Sequence, residues 1–290
     1  MKDIIKLLRI EQWIKNTFVF LPLFFDKRLT DWDAFVSTLF AFISFSFIAS
    51  SVYCINDILD RETDKTHPDK RFRPIASGKV TVKNAFTLST ILAFTSIIIS
   101  ILTQSNYNLM LLILFYLTVN LLYSLYLKHF AIIDVFIIAL GFVLRVYAGG
   151  LSGNVILSHW IVLITFLLAL FLGFAKRLDD VVLFNNTGNL VRKNIAYYNK
   201  TFLTSIMIIT STITMVSYIM YTLSETVMSR FGSENIYLTS FFVLLGIFRY
   251  LQLTLVENGS ANPTKVLFKD RFVIISIIMW ILSFIIIIYI

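Results

Sequence analysis

Long apolar stretches alternate with short polar ones along most of the chain. The apolar stretches are roughly 17–25 residues long, the length an α-helix needs to cross the hydrocarbon core of a bilayer. The pattern predicts nine membrane-spanning helices, at residues 14–30, 34–56, 83–102, 107–127, 131–150, 156–176, 201–222, 236–256 and 271–290. Barrel strands are shorter and alternate in polarity, so we predict an all-α polytopic membrane protein.

The composition supports this interpretation. The 290 residues are 58% hydrophobic and only 14% charged, against about 25% charged in soluble domains. The mean hydropathy is +0.81. Residues 1–16 are too polar for a signal peptide, and the single cysteine, Cys54, excludes an intrachain disulfide. Because no linker or low-complexity tract divides the chain, we expect a single domain over residues 1–290.

The positive charges predict how the chain is oriented. Most of the 25 Lys and Arg residues fall in the N-terminal segment or in alternate segments between predicted spans. The positive-inside rule places these segments in the cytoplasm, with the N-terminus inside and the C-terminus outside the cytoplasmic membrane. Topology therefore accounts for much of the net charge of +8, and the charge does not imply nucleic-acid binding.

The predicted cytoplasmic segments also carry carboxylates. Topology does not explain them, because acidic groups contribute little to membrane orientation. If the span at 34–56 continues as a helix, Asn56, Asp60 and Asp64 stand one turn apart with Asp57 beside them, so their oxygens form one stripe. Magnesium prefers oxygen ligands and often shares them with substrate phosphates. We therefore predict a Mg²⁺ site at Asn56, Asp60 and Asp64. The alternative is a solvated loop of mixed charge.

A cationic turn follows the acidic stripe. His67-Pro68 is expected to end the helix, because the residue before proline is pushed out of the α region. Lys70 and Arg73 come next, and their side chains suit phosphate oxygens. A metal stripe followed by a cationic turn indicates a diphosphate site.

The segment "NDILDRETD" resembles the NDxxDxxxD signature of the UbiA-type prenyltransferase superfamily. Further segments resemble its polyprenyl-phosphate (decaprenyl-phosphate) phosphoribosyltransferases: "RIEQWIKN" (9–16), "HPDKRFRPIASG" (67–78), "YSLYLK" (123–128), "RVYAGG" (145–150) and "KRLDD" (176–180). The resemblance covers nearly the whole chain. It implies nine transmembrane helices around a cytoplasm-facing cavity and a Mg²⁺-dependent enzyme.

The resemblance also implies a reaction. Phosphoribosyl diphosphate (PRPP) would donate 5-phosphoribose to a polyprenyl phosphate and release diphosphate, in the synthesis of cell-surface glycan precursors. Asp57, Asp60 and Asp64 would be the catalytic carboxylates. The residues expected to bind substrate phosphates are Lys15, Asn16, Lys70, Arg73, Lys128, Lys176, Arg177 and Asp180.

One motif separates the subfamily from typical members of the superfamily. Those that transfer prenyl groups carry a second DxxxD motif after helix 6. The matching place here reads "FAKRLDDVVLF", in which Lys176 and Arg177 precede two adjacent aspartates. A Lys–Arg pair suits PRPP, which has a second phosphate, although such pairs also anchor cytoplasmic helix ends. Interface anchoring by Trp13 and Lys15 is likewise the alternative for Lys15 and Asn16.

Two other functions stay open. A prenyltransferase that moves a prenyl group from its diphosphate to an aromatic acceptor would share the first motif, but the missing second DxxxD argues against it. A transporter of lipids or small molecules would show repeats and polar groups near the midplane, whereas polar groups here cluster at one face. Arg145 lies within a predicted span, where a charge is expensive; it either lines the cavity or holds helices together.

Overall fold

A computed structural model describes residues 2–66, 70–103, 107–187, 193–257, 266 and 269–289. Regular structure in these ranges is helical, with no strand. The α-helices are α1 (Lys2–Leu8), α2 (Leu21–Phe25), α3 (Trp32–Leu59), α4 (Arg61–Thr66), α5 (Val82–Thr103), α6 (Asn108–Leu125), α7 (Ile133–Ser152), α8 (His159–Thr187), α9 (Lys200–Thr222), α10 (Glu225–Phe231), α11 (Ser240–Leu255) and α12 (Arg271–Tyr289).

The predicted all-α membrane class is confirmed, but the count of nine spans is not. Within the described ranges, seven helical stretches are long and apolar enough to cross a membrane. They are α3, α5, α6, α7, α8, α9 and the stretch Glu234–Leu255, which joins a 3₁₀ turn to α11. α12 is apolar, but its stretch Arg271–Ile287 is shorter than the others.

The predicted span at 14–30 has a different form. A 3₁₀ helix, Ile10–Phe20, passes into the short α2, which ends at Phe25. Pro22 occupies the first turn of α2. Proline is tolerated there because backbone N–H groups in the first turn have no acceptor within the helix. The chain then turns through Lys27, whose φ is 59°. The first apolar run is therefore shorter than a full span and changes its helical geometry part-way.

The chain divides into two compact units, Met1–Leu157 and Ser158–Ile290, so the expectation of a single domain stays a prediction. In the first unit, α3 packs against α5, α6, α7 and the 3₁₀ helix. Its core includes Phe45, Ile48 and Val52 of α3 and Ile113 of α6.

Two pairs of serines join α3 to α5. The hydroxyls of Ser44 and Ser96 each donate to the other residue's backbone carbonyl, at 2.9 and 2.8 Å. Ser51 and Ser89 repeat this arrangement at 2.9 and 3.1 Å. Small side chains let helix backbones approach closely in a membrane, and these hydroxyls add interhelical hydrogen bonds.

Glycine allows a second close approach. A Cβ placed on Gly149 of α7 would lie 1.8 Å from the carbonyl oxygen of Val19. Only glycine fits where two backbones come this near. The contact brings the 3₁₀ helix against α7.

The second unit contains α8 to α12. Tyr218 of α9 shares a hydrogen bond of 2.7 Å with the hydroxyl of Thr239 and accepts one of 2.7 Å from the indole of Trp280 in α12. Arg249 of α11 donates to Asp270, just before α12, at 2.8 Å. This hydrogen bond lowers the pKa of Asp270.

Candidate active site

The predicted metal-binding segment is helical with one interruption. α3 ends at Leu59, and Asp60 follows with φ −89° and ψ 4° before α4 begins. The backbone N–H of Asp60 donates to the carbonyl of Asn56 at 2.9 Å, and that of Asp64 donates to the carbonyl of Asp60 at 2.8 Å. Because these bonds continue through Asp60, the three residues stand one turn apart, as the sequence predicts.

Asp57 and Asp64 share one cation. Nη1 of Arg73 donates to Oδ1 of Asp57 at 3.1 Å and to Oδ2 of Asp64 at 2.6 Å. The guanidinium of Arg9 donates to the same Asp57 oxygen and lies over the ring of Tyr53, 4.8 Å from its centroid. The two carboxylate side chains are only 2% and 5% exposed. Buried pairs of this kind make the loss of either partner costly.

Arg9 reaches Asp57 from a left-handed backbone conformation, with φ 51° and ψ 51°, at the start of the 3₁₀ helix. A side chain other than glycine in this region costs roughly 1–2 kcal/mol. The hydrogen-bonded ion pair with the buried carboxylate helps to offset that cost. The strained residue is therefore part of the carboxylate cluster.

Asn56 and Asp60 face different partners. The hydroxyl of Ser124, on α6, donates to Oδ1 of Asn56. Nζ of Lys128, just beyond α6, lies 2.6 Å from Oδ1 of Asp60. The side chain of Asp60 is 34% exposed, so it is more accessible to a ligand than the buried Asp57.

The predicted stripe therefore has two edges. At about 100° of rotation per residue, Asp57 and Asp64 project about 20° apart, and Asn56 and Asp60 project about 40° apart. The first edge meets the two arginines. The second meets α6 and the lysine that follows it. The four oxygen-bearing side chains share one side of the helix, but the two edges have different partners.

The oxygen donors fit a magnesium ion that is shared with a substrate. In the described ranges, no group of three or more His, Cys, Asp or Glu side chains gathers closely enough to form a metal cage. Magnesium usually takes one or two carboxylates, keeps several waters and binds substrate phosphates, so it needs no such cage. The half-exposed Asp60, with Asn56 one turn before it, offers this kind of partial ligand set.

The cationic turn brings Arg73 back to the helix. Lys70–Phe72 forms a 3₁₀ turn, and the backbone N–H of Arg73 donates to the carbonyl of Lys70 at 2.9 Å. Nζ of Lys6 donates to the carbonyl of Phe72 at 3.1 Å, which ties this turn to α1. The side chain of Lys70 is half-buried. The predicted helix break at His67-Pro68 lies outside the described residues, although α4 ends directly before it at Thr66.

Glu62 is a carboxylate of the same segment that lies outside the cluster. Its side chain is 73% exposed and accepts a hydrogen bond of 2.9 Å from Lys65, three residues later. That hydrogen bond lowers the pKa of Glu62. Glu62 therefore fits the solvated, mixed-charge alternative that the buried carboxylates do not fit.

Lys15 and Asn16 belong to a different layer of the first unit. The amide of Asn16 is buried; it donates to the hydroxyl of Ser46 at 2.9 Å and accepts from Nε of Arg145 at 2.7 Å. Ser46 lies ten residues before Asn56 on α3, which is about 15 Å along a helix axis. Lys15 is half-buried beside this layer. The structure therefore does not bring the amide of Asn16 into the carboxylate cluster.

The predicted Lys–Arg pair lies on α8 of the second unit. Arg177 is fully buried, and its Nη1 donates to Oδ2 of Asp180, one turn later, at 2.5 Å. Lys176 is half-buried. Asp180 thus holds the guanidinium of Arg177, and it carries the wrong charge to bind a phosphate itself.

Sequence reasoning missed two members of the cluster. In the sequence, Arg9 is one of the topological charges of the N-terminal segment, and it opens the segment "RIEQWIKN". Ser124 had no signal of its own, because a serine in an apolar helix has many structural uses. The contact between Lys128 and Asp60 joins residues 68 positions apart, and spacing along one helix cannot reveal it.

A profile of the UbiA prenyltransferase family matches residues 17–269. The chain belongs to this family. It is 33% identical to the decaprenyl-phosphate phosphoribosyltransferase of Mycolicibacterium smegmatis over 96% of this chain and 90% of the relative. It is 30% identical to the enzyme of the same name from Corynebacterium glutamicum over 99% of this chain and 86% of that one.

The fold of this UbiA family member also matches a solved structure. A UbiA homologue from Archaeoglobus fulgidus bound to GPP and Mg²⁺ superposes with a TM-score of 0.72, at 19% identity, over 99% of this chain and all of the other. The predictions of family, of fold class and of a transferase are confirmed at the level of the family and its named relatives.

Proposed function

We propose that the protein transfers 5-phosphoribose from PRPP to a polyprenyl phosphate and releases diphosphate, at the cytoplasmic side of the membrane. The observation that carries the proposal is the near-full-length likeness to two decaprenyl-phosphate phosphoribosyltransferases. The carboxylate and cation cluster at the ends of α3 and α6 supports it, since such a cluster suits a metal-bound diphosphate. The N-terminus and this cluster would then face the cytoplasm, and the product would serve cell-surface glycan synthesis.

Asn56, Asp60 and Asp64 would hold Mg²⁺, with Asp57 beside them. When bound, the ion would neutralise diphosphate oxygens and so favour departure of that group. Asp60 offers the accessible carboxylate, whereas Asp57 and Asp64 are buried and held by arginine. We therefore assign Asp60 the direct ligand role and Asp57 a positioning role.

The cations around the carboxylates would bind the diphosphate. Arg73 and Lys128 already lie at hydrogen-bond distance from the acidic cluster, at 2.6 Å each. Their side chains are 25% and 17% exposed, so both can reach a ligand at its edge. Lys70 is the first residue of the 3₁₀ turn that Arg73 follows. Fixed cations beside the leaving group stabilise the charge that develops on it in the transition state.

The bond changes balance without a strong base. The bond from ribose C1 to the diphosphate oxygen breaks, and its electron pair leaves with diphosphate. An oxygen of the lipid phosphate then completes the new bond to C1. A phosphate monoester is already anionic at neutral pH, so its protein environment needs to orient it rather than deprotonate it. We propose Lys15, Lys176 and Arg177 as further phosphate-facing or phosphate-ordering cations, with Asp180 holding Arg177.

The test is transfer by the purified protein in detergent with Mg²⁺, radiolabelled PRPP and polyprenyl phosphates of several chain lengths. We expect label to move into the organic phase and EDTA to abolish the transfer. Absence of transfer at every chain length, together with turnover of a prenyl diphosphate and an aromatic acceptor, would instead establish prenyl transfer.

A further inference from the structure

A strained turn at residues 131–133 leads into α7. Ile132 has φ 70° and ψ −53°, and the backbone N–H of Ile133 donates to the carbonyl of Ala131 at 2.8 Å. These values describe a γ-turn of the rare, strained hand. A β-branched residue is an outlier at positive φ, and such strain persists only where the surrounding structure enforces it. The chain around Ile132 must therefore hold this conformation against relaxation.

The fold fixes the chain on both sides of the strained turn. After it, Asp134 is fully buried in the first turn of α7, and its backbone N–H donates to the carbonyl of Phe130 at 3.1 Å. Before it, Nζ of Lys128 lies 2.6 Å from Oδ1 of Asp60. The side chain of Ile132 is itself 45% exposed, so core packing holds it only in part. The contact between Lys128 and Asp60 is thus one of two anchors of the turn.

Asp60 is also the carboxylate to which the proposed function assigns a divalent cation. Lys128 and that cation would bring two positive charges to one carboxylate, and like charges repel each other. The side chain of Asp60 is 34% exposed, so a cation can reach it without unfolding the helix. A cation on Asp60 therefore weakens the contact with Lys128 and releases one anchor of the strained turn.

We propose that Ile132 is a positioning residue whose strained turn relaxes when Asp60 takes up a divalent cation. The strain raises the free energy of the conformation in which Lys128 contacts Asp60, so its release favours the cation-bound state. The relaxation also lets Lys128 leave the carboxylate together with its 3₁₀ turn, Leu127–His129. The cation at Asp60 rests on the proposed function, whereas the role of Ile132 goes beyond it.

The strain is measured by comparing glycine with alanine at position 132, in the full-length protein in detergent. Both substitutions remove the isoleucine side chain, and glycine normally gives the lower Tm because it loses more backbone freedom on folding. At a positive φ this order reverses, so we expect Ile132→Gly to have a higher Tm than Ile132→Ala. Ile133 is the matched position, since it is 44% exposed and begins α7. There, Ile133→Gly should have a lower Tm than Ile133→Ala.

The dependence of the strain on Lys128 is measured by repeating the comparison in Lys128→Met. Loss of the ammonium removes the contact with Asp60, so the turn can relax before position 132 is changed. The Tm advantage of Ile132→Gly over Ile132→Ala should then disappear or reverse, which is the non-additivity expected of coupled sites. An undiminished advantage would overturn the proposal, because the strain would not depend on Lys128.

Cation affinity is measured by titration with Mn²⁺, followed by electron paramagnetic resonance, with the metal ion as the sole added ligand. Ile132→Gly should bind Mn²⁺ about fivefold or more weakly than wild type, since released strain no longer favours the bound state. Ile132→Ala should lie between the two. Ile132→Val keeps the β-branched side chain and should bind as wild type does, and Asp60→Asn should abolish the binding.

A higher Tm together with weaker Mn²⁺ binding in Ile132→Gly than in Ile132→Ala supports the proposal, because a purely structural residue would not change the two quantities in opposite directions. Equal Mn²⁺ affinity in wild type and both variants would overturn it, as would absence of Mn²⁺ binding that depends on Asp60. Transfer of label from PRPP tests the proposed function separately. Transfer with Mn²⁺ affinity independent of Ile132 contradicts only the role of the turn, and absence of transfer with the expected Ile132 effects contradicts only the function.

Discussion

The carboxylate cluster of the first unit and the Arg177–Asp180 pair of the second unit are assembled differently. In the first unit, the ion pairs of the carboxylate cluster join residues 9, 16, 48 and 68 positions apart, drawn from several elements. In the second, Arg177 and Asp180 form their pair within one turn of α8. A pair within one turn needs only a helix, whereas a cluster assembled from distant elements needs the whole fold of its unit. The difference indicates that the first cluster is a built site and that the second pair first serves its own helix.

The largest effect should come from Asp60→Asn. It keeps the size of the side chain but removes the accessible carboxylate, so we expect phosphoribosyl transfer to fall by roughly 100- to 1,000-fold, as when one preorganised electrostatic contact is lost. Initial rates in the radiolabel assay provide the measurement.

Glu62→Gln is the matched control, because Glu62 belongs to the same segment but is solvated and paired locally with Lys65. Its transfer rate should stay within about twofold of wild type, since exposed ion pairs contribute little. Equal losses in both variants would mean that general negative charge, and not the built cluster, supports the activity.

Arg73→Gln should have the next largest effect. It leaves the buried Asp64 without its arginine and Asp57 with Arg9 alone, so we expect a loss of stability of about 3 kcal/mol. Arg73→Lys should recover part of it, because an ammonium is a point charge without the guanidinium's fork. Thermal unfolding in detergent measures both. If Arg73→Gln had the same Tm as wild type, the contacts of Arg73 with Asp57 of α3 and Asp64 of α4 would not stabilise the fold.

Asp180→Asn tests the role of the ion pair in the second unit. The fully buried Arg177 would lose the carboxylate of Asp180, so the apparent Tm should fall. If the pair mainly stabilises α8, the apparent kcat per total protein should fall in proportion to the amount of folded protein. The KM for PRPP should then stay unchanged. A selective increase in the KM for PRPP would place Arg177 in substrate binding, as the sequence resemblance implies.

The smallest effect is expected from the serine pairs. Ser51→Ala removes one of the hydroxyls between α3 and α5, and hydrogen bonds between membrane helices average about 0.6 kcal/mol. A double-mutant cycle with Ser89→Ala should give a coupling energy of that order. No coupling would mean that close packing, rather than the hydrogen bonds, stabilises the helix pair.

Much of the fold and part of the site could be predicted from the sequence. Apolar length identifies the long helices, because each must satisfy its backbone internally in lipid. It fails at residues 10–25, where the left-handed Arg9 precedes a 3₁₀ helix and Pro22 lies in the first turn of a short α-helix. The spacing of Asn56, Asp60 and Asp64 gives the correct turns of helix. It cannot say which partner each oxygen meets, since Arg73, Lys128 and Ser124 come from other elements.

Arg145 shows the same limit. Its position within a predicted span marks it as exceptional, and the sequence leaves its role open between lining a cavity and joining helices. The structure shows that it does join elements, through Asn16 and Gly141. Only the three-dimensional neighbourhood reveals which residues it joins.

The serine pairs have a consequence for how the chain enters the membrane. Each hydroxyl donates to a carbonyl of the opposite helix, and the two pairs lie seven residues apart on each helix. If α5 were displaced along α3 by one helical turn, about 5.4 Å, these reciprocal hydrogen bonds would be lost. The register of this hairpin is therefore defined by its own side chains once both helices have been inserted, before α6 and α7 pack against it. The helix that carries Asn56 and Asp60 would then already be anchored when Ser124 and Lys128 arrive from later in the chain.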